Sequence, residues 1–264
     1  MRFTRREFLL WTGTAGLSGR IWGAASRAAA EAFSIAALND LHITKASDAA
    51  LVRQAVAQIN DMPSLRCTVV LGDITHDCNP DQYIWAKEAL DGLARPYRAV
   101  PGNHDVVGRR GLAYADYMRL FGERQWMWRV GDWHFIGLDS CERSAREVQI
   151  PVARIAWLNE QLRRIPPDHP IALFSHHPFN PNIPMFRVRN AEKVLALFGK
   201  HRLRLVASGH WHGNQVETQN GILFTTTACC SSARANHDFT PSKGFRLFHL
   251  DGDSVTTEFV PVTR

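Results

Sequence analysis

The amino-acid sequence predicts an α/β protein with at least one largely parallel β-sheet. In residues 33–207, short apolar runs typical of buried strands alternate with segments whose apolar residues recur every three or four positions. Residues 215–260 instead carry strand and hairpin patterns. Such alternation is typical of α/β folds. Polar clusters follow the strand-like runs, as expected where an open α/β sheet binds its ligand.

The first half of the chain contains three predicted strand–helix units. The first strand, 33–38, precedes a helix capped by Ser47, whose apolar residues from Val52 to Ile59 are spaced by three and four positions. The other two units follow the same pattern. Their predicted strands are 68–71 and 97–100, and their predicted helices are 81–93 and 112–121.

The second half begins with a predicted hairpin over residues 126–137, whose Gly-Asp turn is a hairpin signal. A helix pattern over 155–165, which a pair of prolines terminates, leads to a strand at 171–174. A second helix, capped by Asn190, leads to a strand at 203–207. These units extend the α/β pattern to the start of the strand-rich tail.

Five clusters rich in Asp and His follow predicted strands. An isolated Asn-His-Asp turn is common on protein surfaces, so one cluster alone would indicate little. Five in one chain indicate a shared site, because carboxylates and imidazoles are rarely grouped in a core unless they are paired or bind metal. In chain order the clusters are Asp40-Leu41-His42, Gly72-Asp73, Gly102-Asn103-His104-Asp105, His176-His177 and Gly209-His210-Trp211-His212.

This order of clusters resembles that of the calcineurin-like metallophosphoesterases, above all the small bacterial cyclic-nucleotide-phosphodiesterase type. The resemblance extends over roughly residues 33–260. It implies a four-layer sandwich, in which two facing mixed β-sheets are flanked by helices and a metal site lies at the C-terminal ends of strands. Because no internal repeat or linker follows residue 30, we predict one such domain over residues 31–264.

The resemblance also implies a centre of two metal ions held by side chains of the five clusters. Asp, Asn and His ligands without Cys suit Fe, Mn, Zn or Co, as divalent or trivalent ions, better than a structural zinc. Every ligand position of the family pattern is filled by the expected residue type. The implied ligands are Asp40, His42 and His212 for the first metal, Asn103, His176 and His210 for the second, and Asp73 as the bridge.

The implied activity is hydrolysis of a small-molecule phosphodiester or phosphomonoester by attack of metal-bound hydroxide, with phosphodiesters favoured. Two cations offset the negative charge that otherwise repels the nucleophile. Cyclic nucleotides, glycerophosphodiesters, nucleotides and lipid phosphates stay open as substrates, and so does the oligomeric state. The alternative is an exported metal-binding or partner-binding protein without turnover on the same fold. The complete ligand set argues against that alternative.

Four further residues are candidates for catalysis or substrate binding, and the role of a fifth residue is open. The resemblance implies that His104 faces the phosphate, either stabilising it or protonating the leaving oxygen, while Asp105 orients the ring. The alternative for His104 is a turn histidine that hydrogen-bonds its own loop. His177 and Trp211 are candidates for substrate contact. His76 stands where the related purple acid phosphatases carry a Tyr ligand, so an additional ligand and a supporting role are both open, with the supporting role favoured.

Residues 1–30 are predicted to form a twin-arginine signal peptide. Arg5 and Arg6 precede a mildly apolar run, and small residues from Ala28 to Ala30 form a cleavage pattern. An ordinary N-terminal helix and an uncleaved anchor are the alternatives. Recognition by the twin-arginine export machinery would deliver the folded protein to the periplasm or another extracytoplasmic compartment.

The charge balance gives no support for a polyanionic partner. The formal net charge is +6, but residues 1–30 account for +4 of it and leave +2 for residues 31–264. This weak excess gives no reason to expect a nucleic acid polymer as partner. No stretch of about 18 apolar residues follows the leader, so we expect no stable membrane span in the mature protein.

Overall fold

The structure is a computed structural model, which describes the chain from residue 31. The predicted signal peptide over residues 1–30 therefore lies outside the described residues, and the domain boundary at residue 30 stays a prediction. The described residues are 31–108, 111–112, 114–141, 148–183 and 186–263.

Two mixed β-sheets and a short two-stranded ribbon contain the strands of the described chain. The strands are β1 (Phe33–Leu38), β2 (Leu65–Val70), β3 (Tyr97–Ala99), β4 (Val107–Gly108), β5 (Gly111–Leu112), β6 (Trp126–Val130), β7 (Trp133–Leu138), β8 (Pro170–Ser175), β9 (Arg202–Ser208), β10 (Gln215–Gln219), β11 (Ile222–Thr226), β12 (Gly244–Asp251) and β13 (Ser254–Pro261).

Short to medium helices connect these strands. No helix in the described part of the chain is long and apolar enough to cross a membrane. The α-helices are α1 (Ala49–Asn60), α2 (Pro80–Leu90), α3 (Asn103–Val106), α4 (Tyr114–Phe121), α5 (Val152–Leu162) and α6 (Ala191–Leu195), and 3₁₀ turns cover Ala46–Asp48 and Ala196–Phe198.

Each large sheet combines parallel strands with antiparallel neighbours, which lie on one side in the first sheet and at both edges in the second. In the first sheet, of order β13-β12-β1-β2-β3, strands β1, β2 and β3 are parallel. In the second, of order β10-β11-β9-β8-β7-β6, strands β7, β8, β9 and β11 are parallel. Within each sheet, the parallel strands therefore all end on the same side, with their C-terminal ends next to one another.

The two sheets pack face to face through an apolar interior. Ile35 and Ala37 of β1 lie in the same apolar cluster as Phe135 and Phe174 of the opposite sheet. Ala36, which alternates with them, belongs to the cluster beneath the helices on the other face. Every residue of β1 is buried, as expected of a strand covered on both faces.

Helices cover the outer face of each sheet. Val52 of α1 and Leu90 of α2 pack in the cluster against the first sheet. Leu158 of α5 and Val194 of α6 pack in the cluster against the second sheet. The order helix, sheet, sheet, helix confirms the predicted four-layer α/β sandwich.

Most predicted elements are present within three residues of their predicted ends, but neither predicted capping side chain makes a capping hydrogen bond. Ser47 lies within a 3₁₀ turn and does not cap α1, which begins at Ala49. Asn190 precedes α6 without a capping hydrogen bond. Its side chain instead bonds the backbone nitrogen and oxygen of Ile150, each at 2.9 Å, and so ties two loops together.

Candidate metal centre

The five polar clusters meet where the C-terminal ends of the two sheets come together. Asp40 follows β1 and its amide donates to Gly72 after β2, at 3.0 Å. The amide of His42 donates to the carbonyl of Asp73 at 2.9 Å, and that of Gly209 after β9 donates to His176 after β8 at 3.0 Å. The loops of each sheet are thus hydrogen-bonded among themselves, and the two sets are joined around a common centre by the amide of His210, which donates to Asp40 Oδ2 at 2.9 Å.

The backbone of these loops is held in an unfavourable conformation at the predicted ligands. Asp40, His42, Asp73, His210 and His212 all have positive φ angles, of 53°, 43°, 49°, 65° and 45°. Each such conformation costs a non-glycine residue on the order of 1–3 kcal/mol and is concentrated at functional sites. The rest of the fold therefore stabilises this backbone conformation, which directs the five side chains toward the common centre.

Glycine is required where two of these loops touch. Gly72 has a φ of +83°, and a Cβ placed on it would lie 2.5 Å from the amide nitrogen of Gly102. A Cβ on Gly102 would in turn lie 2.1 Å from an Asp73 carboxylate oxygen. Because neither contact leaves room for a methyl group, the two glycines permit the loop after β3 to lie directly against Asp73.

One set of donors combines residues of the first sheet with the last polar cluster. His42 Nε2 lies 3.4 Å from Asp73 Oδ2 and 3.2 Å from His212 Nε2. His212 Nε2 lies 3.2 Å from Asp40 Oδ1. All four side chains are buried, and their ligand atoms lie within 4.8 Å of one another. We call this group of Asp40, His42, Asp73 and His212 the first position.

A second set of donors converges around His176. Its Nε2 lies 3.1 Å from Asn103 Oδ1, 3.0 Å from His210 Nδ1 and 3.4 Å from Asp73 Oδ2. We call Asn103, His176, His210 and Asp73 the second position. Oδ2 of Asp73 is thus within 3.4 Å of a ring nitrogen from each position, which is the arrangement that the predicted bridge requires.

Each position contains one histidine whose pKa is raised and one whose pKa is lowered. Burial disfavours a charged His212, but the Asp40 carboxylate raises its pKa to about 11. Burial likewise opposes ionisation of His176, but Asp73 raises its pKa to about 9. Burial lowers the pKa of His42 well below its ordinary value, and burial with repulsion from His176 lowers that of His210 to about 3. The carboxylates are thus balanced by protons that cations can replace.

The donor chemistry fits divalent cations. The two donor sets consist of carboxylate, amide and imidazole groups, without a thiol among them. His210 Nε2 is buried without a hydrogen-bond partner among the described residues, while its Nδ1 faces His176. Such a set suits Mn, Fe, Zn or Co.

Outer hydrogen bonds fix which nitrogen of each histidine faces inward. His176 Nδ1 bonds the carbonyl of Leu71 at 2.8 Å, and His212 Nδ1 bonds that of Ala235 at 3.2 Å. His42 Nδ1 lies 3.4 Å from His76 Nδ1. Partners of this kind orient metal-binding imidazoles and select their tautomer. His76 therefore lies behind His42, on the side away from Asp73, which agrees with the supporting role favoured for it.

His104 lies beside the centre rather than in either donor set. Its amide donates to Asp73 Oδ1 at 2.8 Å, and its Nδ1 lies 2.7 Å from the carbonyl oxygen of His76. The ring is half-buried, so Nε2 is the nitrogen left for a substrate. Asn103 and His104 both belong to the single turn of α3, which follows β3.

Asp105 does not orient the His104 ring as predicted. Its carboxylate accepts from the amides of Thr75 and Gly102, each at 2.8 Å, and so holds the α3 turn against the loop after β2. Burial and the charge of Asp73 raise its pKa to about 6. The carbonyl of His76 takes the orienting contact instead, and the sequence contains no pattern that distinguishes a backbone carbonyl for this role.

The two residues predicted to contact substrate differ in exposure. His177 is fully buried, with Nδ1 2.9 Å from Ser140 Oγ and its ring 4.4 Å from that of His210. Trp211 is partly exposed and packs edge-on against His237 at 5.3 Å. Phe186 lies 6.2 Å from His237 and 4.8 Å from His210. An aromatic wall beside the centre is thus formed by Trp211, His237 and Phe186. The sequence indicated Trp211 as a member of this wall but not His237.

Fold and site together define a metal-dependent phosphoric ester hydrolase. The model of the calcineurin-like phosphoesterase family matches residues 33–214, which is more than half of the chain. The chain therefore belongs to the calcineurin-like phosphoesterases, and the predicted family is confirmed.

Named relatives support the same class. A Xenorhabdus bovienii protein named as a probable cyclic nucleotide phosphodiesterase is 24% identical over 211 residues, covering 74% of this chain and 83% of that protein. An Arcobacter nitrofigilis protein named as a probable glycerophosphodiester phosphodiesterase is 29% identical over 182 residues, 66% of each chain. The structure of purple acid phosphatase from yellow lupin shares the fold, with a TM-score of 0.69 and 13% identity, over 88% of this chain and 52% of that one.

Proposed function

We propose that this chain is a binuclear metal-dependent phosphodiesterase acting on small-molecule phosphate diesters. The observation that carries the proposal is the position of Asp73, whose Oδ2 lies 3.4 Å from both His42 Nε2 and His176 Nε2. The first position would hold one cation and the second position the other. Two cations, when bound, neutralise the phosphate charge and make a bound water acidic enough to serve as nucleophile.

The side chains of the protein contribute orientation and proton transfer. His104 is fixed by Asp73 through its amide and by the His76 carbonyl through Nδ1, so Nε2 points away from both. Because Nδ1–H donates to that carbonyl, Nε2 carries a proton only when the ring is an imidazolium. Such a ring can stabilise a phosphoryl oxygen or protonate the leaving alcohol. Asp105 keeps the α3 turn in place through Thr75 and Gly102. Proton transfer from a positioned side chain contributes roughly 10²–10⁴-fold to a rate.

Diesters are favoured over monoesters by two observations. The relatives described above are named for cyclic nucleotides and for glycerophosphodiesters, which are both diesters. Trp211, His237 and Phe186 also offer aromatic surface beside the centre, on which the organic part of a second ester group can pack. Phosphomonoesters are the competing substrates, and the choice between individual diesters is left to experiment.

A substrate panel tests this proposal. Purified chain loaded with Mn, Fe, Zn or Co is assayed with bis(p-nitrophenyl) phosphate, p-nitrophenyl phosphate, a cyclic nucleotide and a glycerophosphodiester. We expect the diesters to have the larger kcat/KM values. Higher values for the monoester would assign a phosphomonoesterase. Absence of hydrolysis with all four cations, in protein shown to bind them, would support the non-catalytic binding protein instead.

We further propose that the protein is exported by the twin-arginine pathway and acts in the periplasm or another extracytoplasmic compartment. The support is the sequence Arg5-Arg6 ahead of a mildly apolar run and the alanines at 28–30. Because this signal is read by a receptor, Arg5→Lys with Arg6→Lys should retain the precursor in the cytoplasm although the charge is unchanged. Mature protein in the periplasm of cells making that variant would contradict the proposal.

A further inference from the structure

A segment beyond the family match wraps around one metal-ligand candidate. The family model ends at residue 214, whereas residues 228–243, here called the clamp segment, contact His212 in three ways. The carbonyl of Ala235 lies 3.2 Å from His212 Nδ1, and the amide of His237 donates to the His212 carbonyl at 3.1 Å. The His237 ring lies flat against the His212 ring, at 4.8 Å and an interplanar angle of 9°.

The side chain of Asn236 holds the clamp segment together by hydrogen bonds. This side chain is only 4% exposed. Oδ1 accepts from the amide of Cys229 at 3.0 Å, and Nδ2 donates to the carbonyls of Thr240 and Ser242, each at 2.8 Å. One buried amide therefore joins the start, the middle and the end of the segment.

Lys243 fixes the other side of Ala235. Its ammonium donates to the carbonyl of Arg234 at 2.6 Å and to Asn236 Oδ1 at 3.2 Å. The residues immediately before and after Ala235 are thus both tied down, which leaves the Ala235 peptide little freedom to turn. A carbonyl held in this way keeps the proton of His212 on Nδ1 and leaves Nε2 facing Asp40 and His42.

We propose that Asn236 and Lys243 are positioning residues for the cation of the first position, acting through the Ala235 carbonyl and His212. This inference rests on the proposed function, which supplies the cation. It adds that the affinity for the cation of the first position depends on a segment outside the family match. Among the described residues, no hydrogen bond joins the clamp segment to a side chain of the second position. Its His176 is oriented by the carbonyl of Leu71, which follows β2 in the sheet.

Cation affinity of the full chain tests the proposal without recourse to turnover. Binding of Mn and of Zn is measured by competition with a chromogenic chelator for the wild type, Asn236→Ala and Lys243→Met. Removal of an outer partner of a ligand typically lowers metal affinity by roughly 10–100-fold. We expect that loss for one cation per chain and unchanged affinity for the other. Lys243→Arg, which retains a cationic donor, should stay closer to the wild type than Lys243→Met.

Asn190→Ala is the matched control, since Asn190 also bridges two backbone groups of a distant loop with its side chain amide. It should lower thermal stability comparably while leaving both affinities unchanged. Combined variants assign the affected position. Asn236→Ala added to Asp40→Ala should cause little further loss, whereas added to Asn103→Ala it should weaken both cations, because coupling is expected only within one position.

The outcomes separate this inference from the proposed function. Equal weakening of both cations, or no weakening of either, would overturn the positioning role of Asn236 and Lys243. Selective weakening in a chain that hydrolyses none of the test esters would uphold the positioning role and reject the phosphodiesterase. A wild-type chain that binds neither Mn nor Zn would overturn both.

Discussion

The two cation positions of this site have equivalent donors but different supports. Each combines a shared carboxylate, Asp73, with two imidazoles and one further oxygen donor, from Asp40 in the first position and Asn103 in the second. The second position is oriented by the carbonyl of Leu71, at the end of a central strand of the first sheet. The first position is oriented by His76 and Ala235, which both lie in loops.

The comparison predicts that two chemically similar donor sets on one fold differ in their tolerance to substitution. Hydrogen bonds within the packed sheets are among the most stable parts of a protein, whereas loops open at lower free energy. Support from the sheet should therefore make the second position the more resistant to substitution of outer residues. The first position should respond to substitutions in loops that do not touch the metal.

The largest effect is expected where the two positions meet. Asp73→Asn removes the charge that both positions share, so it should lower turnover by more than the roughly 10²–10⁴-fold expected for a positioned acid or base. At least one cation per chain should be lost, as measured by mass spectrometry of metal content. Asp77→Asn, at an exposed carboxylate four residues away, is the control and should retain both cations. Two cations with normal turnover in Asp73→Asn would rule out the shared bridge.

Removal of His104 should affect turnover but neither position. Because its side chain belongs to neither donor set, His104→Ala should retain both cations and lose about 10²–10⁴-fold in kcat. The loss should shrink for esters with good leaving groups, which need little protonation. An equal loss for p-nitrophenyl and alkyl esters would point to phosphate stabilisation instead. Loss of a cation would show that His104 is a ligand.

Substitution in the second position should be recoverable with added metal. Asn103 supplies a neutral oxygen donor 3.1 Å from His176 Nε2, and the donors that remain include the charged Asp73. Asn103→Ala should therefore weaken one cation without abolishing its binding, by at least the roughly 10–100-fold that loss of an outer partner costs. A titration with excess Mn should restore part of the turnover. Activity that stays low at saturating metal would assign Asn103 a role beyond holding the cation.

The sequence predicted the donors of both positions but not their supports. Asp40, His42, Asp73, His210 and the other ligand candidates are side chains of distinctive type at strand ends, so their pattern could be read without a structure. Whether they bind metal ions is still a prediction for the experiments above. The four-layer fold was implied by the family resemblance of this pattern, and it is confirmed by the layers of helix and sheet.

The supports could not be predicted because their chemistry is carried by backbone atoms and by distant contacts. Leu71 and Ala235 act through carbonyl oxygens, which every residue has, so their types give no signal. Asp105 was expected to orient His104, yet its carboxylate bonds Thr75 and Gly102. The carbonyl of His76 takes its place because α3 turns the His104 ring toward the loop after β2. Only the fold shows which carbonyl lies behind which ring.

The smallest effect is expected from substitution of His76. Its side chain supports His42 of the first position, and its backbone carbonyl supports His104. His76→Ala removes the imidazole 3.4 Å from His42 Nδ1 but keeps the carbonyl that His104 contacts. Affinity for one cation should therefore fall by about 10-fold, at the low end for an outer partner. Turnover at saturating metal should be nearly unchanged, unlike that of His104→Ala.

Two comparisons sharpen this last test. His76→Gln, which can still accept a hydrogen bond from His42, should recover part of the affinity, and His169→Ala, in a histidine pair remote from the site, should change nothing. If His76 were instead an additional ligand, glutamine would not replace it and His76→Ala would weaken the cation as severely as Asp40→Ala does. The division of the first position into ligands and loop supports would then be wrong at His42, and the contrast with the sheet-supported second position would rest on the clamp segment alone.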